Sequence, residues 1–538
     1  MKRLFVSLLM VAAILPATIY AGGIVTNTNQ SASFIRMPAQ DATIGIEGTY
    51  YNPAGLVHLE NGFYISVSSQ TVMQTREISS TFNMNKQEFQ GDVFAPVFPT
   101  FYAVYKKDKV AYSFGVNPIG GGGSAKFETG LPSFEQMVAV LPTSLTAGGI
   151  PTTQYSMKSS FNGSSLNWGF QFNASYSLTD MISLSLGFRY VVANNTYEGY
   201  LKDVMINPNQ PAFGAQYNGG SMVSAPLFFT DASNTLAGWA AGANSYFAGL
   251  EPIVSGGGGG VLLVDGAGAG LTPLQIAQIQ GLLGAAGLTP AQIGAIDIQT
   301  AQATLGAAAP AFTANSNAMA ANAAATANKE VDASQSSSGI SPIIGVNFKF
   351  SESLNVAVKY EHKTNMTLTN KTTLDDVGLY PDGAKTPNDM PSLLVVGVGY
   401  RPMDKLFVTG GLHYYFDKNA KYGKKIGGVF VDNEEVMDGN SWEASLGLEY
   451  SINDAFLVSA GYLLTKTGAN DLYHSDLSHS LNTSSVGFGG KYMINDRLGL
   501  NLGFMYTMYN EYTKEFVGYN ESYNRKAMVG AIGFDYKF

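Results

Sequence analysis

Five histidines and no cysteine in 538 residues limit the chemistry this chain can carry. Without thiols there is no disulfide, no thiolate metal site and no cysteine nucleophile. His474, Ser475 and Asp476, with His479 close behind, could be written as a nucleophile and base set or as a metal site. Neighbours in sequence rarely converge on one reacting atom, because a triad needs members facing each other from different elements. Polar residues of a solvated loop explain the cluster, and no Gly-x-Ser-x-Gly elbow occurs. His58, His362 and His413 stand apart, so no enzyme activity, metal or cofactor is expected. A different pattern carries more information: single charges such as Arg189, Lys349, Lys359, Glu361, Glu443, Glu449, Lys491, Asp535 and Lys537 recur at alternate positions inside otherwise uncharged segments.

Those segments are strands. Phe170, Phe172, Ala174, Tyr176 and Leu178 alternate with Gly169, Gln171, Asn173, Ser175 and Ser177. After Thr179-Asp180 the pattern resumes as Ile182, Leu184, Leu186, Phe188 and Tyr190. The same architecture returns around Ser351-Glu352-Ser353, Pro402-Met403-Asp404, Asn453-Asp454 and Asn495-Asp496. Alternation over ~10 residues, with connections switching between a few residues and a dozen or more, is the signature of a membrane-spanning β-barrel rather than a sandwich. Strands are expected near 62–82, 92–107, 109–118, 154–178, 181–200, 340–351, 353–369, 391–402, 405–417, 440–451, 454–467, 484–494, 497–513 and 525–538, about fourteen. An even number puts both chain ends and every short turn on the periplasmic side.

Composition agrees. Only 13% of residues are charged, aromatics reach 12% and glycines number 61. The net charge of -9, with no Lys/Arg cluster, gives nucleic-acid binding no support. Lys2-Arg3, the apolar run Leu4 to Leu15 and Ala21 read as a secretory signal over residues 1–21. That run is about a dozen residues against the ~20 a spanning helix needs. The fold class expected is therefore all-β, a transmembrane antiparallel barrel over residues 62–538 in the cell outer membrane. Residues 202–335 break the alternation with a glycine run and two Leu-Thr-Pro starts at 271–273 and 288–290, and read as a long external insertion with two or three short helices. The run Gly256 to Gly260 lacks the Gly-Lys-Ser/Thr of a phosphate cradle and serves as linker.

Residues 22–61 precede the first strand without alternating, so they hang in the periplasm or fold into the lumen; the apolar middle favours burial. Their motif Asn52-Pro53-Ala54-Gly55-Leu56, placed just ahead of the first strand, resembles the FadL/TodX family of outer-membrane transporters for hydrophobic compounds. The resemblance spans the mature chain. It implies a fourteen-stranded barrel, a lumenal hatch over 22–61, a helical capture loop where the insertion falls, a monomer, and no cofactor. The substrate it implies is a hydrophobic small molecule such as a long-chain fatty acid or, as a variant, an aromatic hydrocarbon. A polar-solute porin or a surface-binding barrel is the alternative.

Three sets of residues then acquire candidate roles. Asn117, Pro118, Gly120 and Gly121 weaken the third strand, since proline removes a ladder donor and glycine weakens pairing. Either the strand ends there, or, as the resemblance implies, a kink opens sideways to membrane lipid. The lumenal charges either pair with one another, which the cost of unpaired buried charge favours, or Arg189 and Lys359 receive a substrate carboxylate. Arg36 is placed to anchor the hatch on a wall carboxylate such as Glu443. Finally, Tyr536 and Phe538 end an alternating aromatic strand that resembles the signal read by the outer-membrane assembly machinery. If residues 22–61 are a plug, deleting them raises single-channel conductance in a planar bilayer; unchanged conductance makes them a periplasmic tail.

Overall fold

The computed structural model describes residues 23–538, so the expected leader at 1–21 lies outside the described residues. These residues form two compact units, one of residues 137–158 and 202–328, the other of residues 23–136, 159–201 and 329–538.

The larger unit is a closed antiparallel barrel. Its strands are β1 (Gly62–Ser80), β2 (Glu88–Lys107), β3 (Val110–Phe127), β4 (Tyr155–Ser177), β5 (Ile182–Ile206), β6 (Lys329–Lys349) and β7 (Leu354–Glu361, resumed at Thr367–Asp375). The circuit continues through β8 (Leu393–Met403), β9 (Leu406–Tyr415), β10 (Trp442–Ser451), β11 (Phe456–Lys466), β12 (Thr483–Asn495), β13 (Leu498–Tyr509) and β14 (Tyr519–Lys537). Strand order follows the chain, and β14 returns to β1 from Tyr64 opposite Lys537 to Ser80 opposite Glu521. Closure leaves no edge of unpaired backbone groups, the condition for a sheet to cross lipid.

Strand β13 shows why these sequences take this form. Leu500, Leu502, Phe504, Tyr506 and Met508 point outward, while Asn501, Met505 and Thr507 are buried inside. Leu502 is 50% exposed and Met505 1%, a reversal of soluble-protein order that marks the outer face as the lipid face. Tyr105, Tyr112, Tyr176, Tyr400, Tyr450 and Tyr492 stand on that face near the short turns, where an amphipathic ring suits the membrane boundary. Among the described residues no helix is long and apolar enough to cross a membrane.

The short turns use the residues that announced them. The Asn453 side chain accepts from the amides of Ala455 and Phe456, both at 2.9 Å, and Asn495 does the same for Arg497 and Leu498. Each is an Asx turn that satisfies the chain reversal locally.

Two boundaries differ most from the sequence reading. β3 continues to Phe127 rather than ending at 118, and β6 begins at Lys329 rather than 340. The polar run Ser334 to Ser338 has no apolar alternation, yet it pairs fully with β5, as its neighbour Ala333 does opposite Tyr197. The inward residue of this run, Gln335, is buried but polar, accepting from Tyr197 and donating to Asn370, so hydropathy loses the period.

The smaller unit is more helical than expected. Two long helices, α2 (Ala225–Ser255) and α3 (Ile298–Thr326), stand beside the short ones foreseen. Trp239 meets Phe312 edge-on at 5.6 Å between them, and Ser233 and Ser316 exchange hydrogen bonds. Alanine carries the highest helix propensity, and the Ala-rich tract is accordingly helix. The two Thr-Pro pairs behave as read: Thr272 and Thr289 cap short helices with full capping boxes.

Residues 23–61 lie within the larger unit, most of them buried. Wall glycines make the space. A side chain at Gly411 would strike Asp41, one at Gly447 would strike Met37, and one at Gly487 would strike the carbonyl of Ile35. Gly461 and Gly503 do the same for Pro38 and Arg36. The Gly487→Val variant is expected to keep a heat-modifiable barrel but dislodge the hatch, read as protease cleavage within residues 30–60 that the native protein resists.

Candidate functional site

Asn52 explains why the Asn-Pro-Ala-Gly-Leu motif sits where it does. Its Oδ1 caps a helical turn at Pro53–His58 by accepting from Gly55 N at 3.1 Å, with proline in the first position. Its Nδ2 donates to Asn347 Oδ1 of β6 at 2.8 Å. The carbonyls of Pro53 and Ala54 accept from Ser175 and Ser183 of β4 and β5 at 2.7 and 2.6 Å. Leu56 is fully buried in an apolar cluster with Phe34, Ile35, Tyr50 and Tyr51. The motif is thus a docking key, with polar backbone to the wall and leucine to the interior.

The other end of the hatch is α1 (Ala32–Arg36), capped by Ser31. Arg36 does not reach Glu443. It pairs with Glu449 at 2.7 Å and donates to Ser459 at 2.8 Å. Glu443 lies six residues further from the short turn on β10 and is already occupied, accepting from Tyr415 at 2.6 Å and Thr465 at 2.8 Å. It also faces His413 Nδ1 at 2.9 Å, and His413 Nε2 faces Asp41 of the hatch at 2.8 Å. One imidazole therefore bridges plug and wall. Alternation placed His413 on the lumenal face, but no signal in the sequence named its partner 372 residues away.

Arg189 and Lys359 come together, on a carboxylate of the protein itself. Arg189 binds Glu361 through both terminal nitrogens, at 2.5 and 3.0 Å, and Lys359 binds Glu361 at 2.7 Å. Lys359 also donates to the carbonyl of Tyr50, whose ring lies 4.8 Å from the Arg189 guanidinium and 4.7 Å from the lysine nitrogen. Pairing, rather than a vacant carboxylate receptor, is the arrangement present. Within the hatch, burial and then the charge of Asp535 push the Glu47 carboxyl up to about 7.

Beside the hatch the barrel wall opens. β2 and β3 pair from Phe101 opposite Val116 to Lys107 opposite Val110, and again at Gly91 and Asp92 with Phe127 and Lys126. Between these stretches residues 93–100 and 117–125 make no ladder pairs with each other. On its other side β3 stays on β4, with register shifts at Pro118 to Gly120 and Gly120 to Gly123. Four residues from Trp168 to Ser165 span six from Pro118 to Gly123, so β3 bulges by two. Gly121 and Gly123 hold φ of 85° and 62°, left-handed values that glycine tolerates without cost. Pro96 and Pro99 of β2 bring no amide to the missing ladder.

The hatch takes up the freed groups instead. Asn27 N donates to Ile119 O at 2.7 Å, Thr26 bridges Gly120, and Asn117 donates to Gln30 at 2.5 Å. Ile119 is fully buried, and Phe94 and Val97 flank the gap on the lipid face, each 66% exposed. Tyr536 and Phe538 lie at the far end of the seam, where Phe538 N donates to Phe63 O at 2.9 Å and the two terminal rings meet at 4.7 Å.

A closed fourteen-stranded barrel with an apolar outer band, an internal hatch and a breach between β2 and β3 is an outer-membrane β-barrel of the plugged kind. Its fold is that of a FadL homologue. A Pseudomonas aeruginosa FadL homologue matches with a TM-score of 0.56 at 11% identity, over 98% of this chain and all of that one. The P. putida toluene transporter TodX matches at 12% identity and a TM-score of 0.48, covering 92% of this chain and 94% of its own. The Ralstonia pickettii toluene transporter TbuX matches at 14% and 0.47, covering 92% and 94%. No protein-family model matches the chain, and none of the curated proteins does.

Removing one partner of a buried charged pair costs about 3–5 kcal/mol, because the remaining charge is left uncompensated. His413→Leu strands Asp41 and Glu443 and is expected to loosen the hatch by that order, read as raised open probability in a planar bilayer with the barrel still heat-modifiable.

Proposed function

We propose that this protein is a passive outer-membrane transporter of hydrophobic small molecules such as long-chain fatty acids. The observation that carries the reading is the breach between β2 and β3. A solute in the lumen beside Ile119 there meets bilayer, past Phe94 and Val97, rather than the water beyond the hatch. A greasy molecule gains by that exit, since it never crosses an aqueous space. Solute enters from the external loops, binds in the lumen above the hatch, and leaves sideways when the segment around residues 26–30 releases the bulge. No energy source is required for movement down a gradient. The likeness to the structure named as a FadL homologue supports the fold on which this reading depends; fatty acid and aromatic hydrocarbon are its two substrate arms.

The same reading makes the barrel a monomer in contact with outer-membrane lipid. It makes Tyr536 and Phe538 the segment presented to the assembly machinery, and it gives the protein no enzymatic role.

Expression in cells lacking their own fatty-acid transporter is expected to raise uptake of radiolabelled oleate above an empty vector. Deleting Gly121 and Gly122 removes two residues, keeps side-chain alternation and restores the β3 ladder. It is expected to lower that uptake at least tenfold at equal surface level. No oleate uptake, with toluene uptake present, assigns the aromatic arm; uptake indifferent to the deletion removes the lateral exit.

A further inference from the structure

Outside the lumen, the membrane face of β2 to β5 is not a plain apolar wall. On β2 the outward row runs Phe101, Ala103, Tyr105 and Lys107, and on β4 it runs Phe170, Phe172, Ala174 and Tyr176. Each row therefore has one small residue among large ones. In the ladders Ala103 faces Phe114 and Ala174 faces Tyr112, so each alanine stands beside a ring of β3. The two alanines form the floor of a groove of about 470 Å³, open to lipid and walled by Tyr105, Tyr112, Phe114, Phe172, Leu186 and Phe188.

Rings close the groove at one end. Phe101 meets Phe114 edge-on at 6.3 Å, Phe114 meets Phe172 at 4.6 Å, and Phe172 stacks on Phe188 at 5.3 Å. The four rings make a row across β2 to β5, in the edge-on and stacked contacts that aromatic pairs prefer. Phe101, opposite Val116, is also where β2 and β3 stop pairing. The ring row therefore lies directly on the periplasmic side of the breach.

Cations mark the other end. Tyr105 and Tyr112 face each other at the membrane boundary, and the short turn beyond them carries Lys107 and Lys109, both exposed. The acid between them is turned away. Asp108 accepts from Asn61 Nδ2 at 3.3 Å, and its amide donates to Asn61 Oδ1 at 2.8 Å. Lysine binds phosphate as a point charge and needs no fixed fork to do so. Along β2 the distance from Lys107 back to Phe101 is ~20 Å at the rise of a strand. With a tilt of ~40°, that stretch reaches ~15 Å into the bilayer, half of its ~30 Å hydrocarbon core. Groove and lysines together have the depth of one leaflet.

We infer that this groove binds one acyl chain of a phospholipid of the periplasmic leaflet, with the lipid phosphate on Lys107 and Lys109 and the chain end at the ring row. A chain lying over Ala103 and Ala174 fills space that the wall leaves open, and it gains close contact with the rings on either side. Its end lies at the mouth of the breach, so this lipid is the bilayer component nearest the opening. The inference depends on the barrel standing in a membrane and not on what passes through it.

The test is native mass spectrometry of the full-length protein released from non-ionic detergent, with dioleoylphosphatidylglycerol as the added probe. One lipid is expected to stay bound, roughly fivefold or more tightly than to Ala103→Phe with Ala174→Phe, which fills the groove from its floor. Lys107→Glu with Lys109→Glu should weaken retention by a similar factor, and more so at low salt. Val458→Phe, on the lipid face of β11, should bind as the native protein does. Every substituted side chain faces lipid or solvent, and heat-modifiable migration checks that each barrel is folded. Equal retention by the native and groove-filled proteins overturns the inference. Loss from the lysine variant alone overturns it as well, since it leaves a head-group contact without a chain site. Displacement of the lipid by an equal concentration of methyl oleate makes the groove a general apolar surface and removes the phospholipid as its occupant.

Discussion

A backbone placed in hydrocarbon must satisfy every amide and carbonyl within itself, and the rest of this structure follows from that demand. The seam between β1 and β14 meets it for the barrel as a whole, with seventeen consecutive residues of β1, Tyr64 to Ser80, each facing one of β14. Once the cylinder is closed, alternation forces a lipid row and a lumen row on every strand. The interior must then be filled, and a barrel of this size is too wide for wall side chains alone. The hatch fills it. Filling with backbone rather than side chains requires wall glycines, which let residues 32–42 approach the sheet closely.

The breach between β2 and β3 is the one place where the demand is met by a different route. The bulge at 117–125 gives up its ladder to β2, yet Ile119 O and Gly120 are served by the hatch segment at residues 26–27. Plug and opening are therefore parts of one hydrogen-bonded unit. Moving the first exposes backbone of the second, and that exposure needs water or solute in the gap. The ion pairs have a matching division of labour. Arg36 with Glu449 and Asp41 with His413 and Glu443 hold the hatch to the wall. Arg189, Lys359 and Glu361 form a compact wall network onto which Tyr50 is laid.

The strands are legible in the sequence because each carries a complete local signal: outer apolar residues, inner small or polar ones, and an Asn or Ser at the turn. The hatch motif is legible because Asn52 and Pro53 act within a few residues of one another. What cannot be read depends on residues hundreds of positions apart. Glu443 and Glu449 are equal candidates for Arg36 in sequence terms because both lie on the lumenal face of β10, while the level of each along the barrel axis, which selects Glu449, is a property of the closed cylinder. Arg76 and Arg525 are ordinary lumenal arginines until the seam sets them opposite each other. The polar half of β6 and the two long helices escape the pattern for different reasons. In the first, a polar strand has no hydropathic period; in the second, alanine on every face of a helix leaves no apolar stripe to read. Glycine abundance marks a barrel, but its concentration facing the hatch shows only when a side chain is imagined at each position.

The position of the hatch at the start of the chain has a consequence for how the molecule is made. Residues 32–42 are made long before the glycines that receive them, which lie between 397 and 533 on β8 to β14. The ion pair from Arg36 spans 413 positions and the hydrogen bond from Ser33 to Asn501 spans 468. The segment therefore waits through the synthesis of most of the chain without a binding surface, its apolar Phe34, Ile35 and Leu56 unburied. The barrel acquires its stopper only as its last strands arrive.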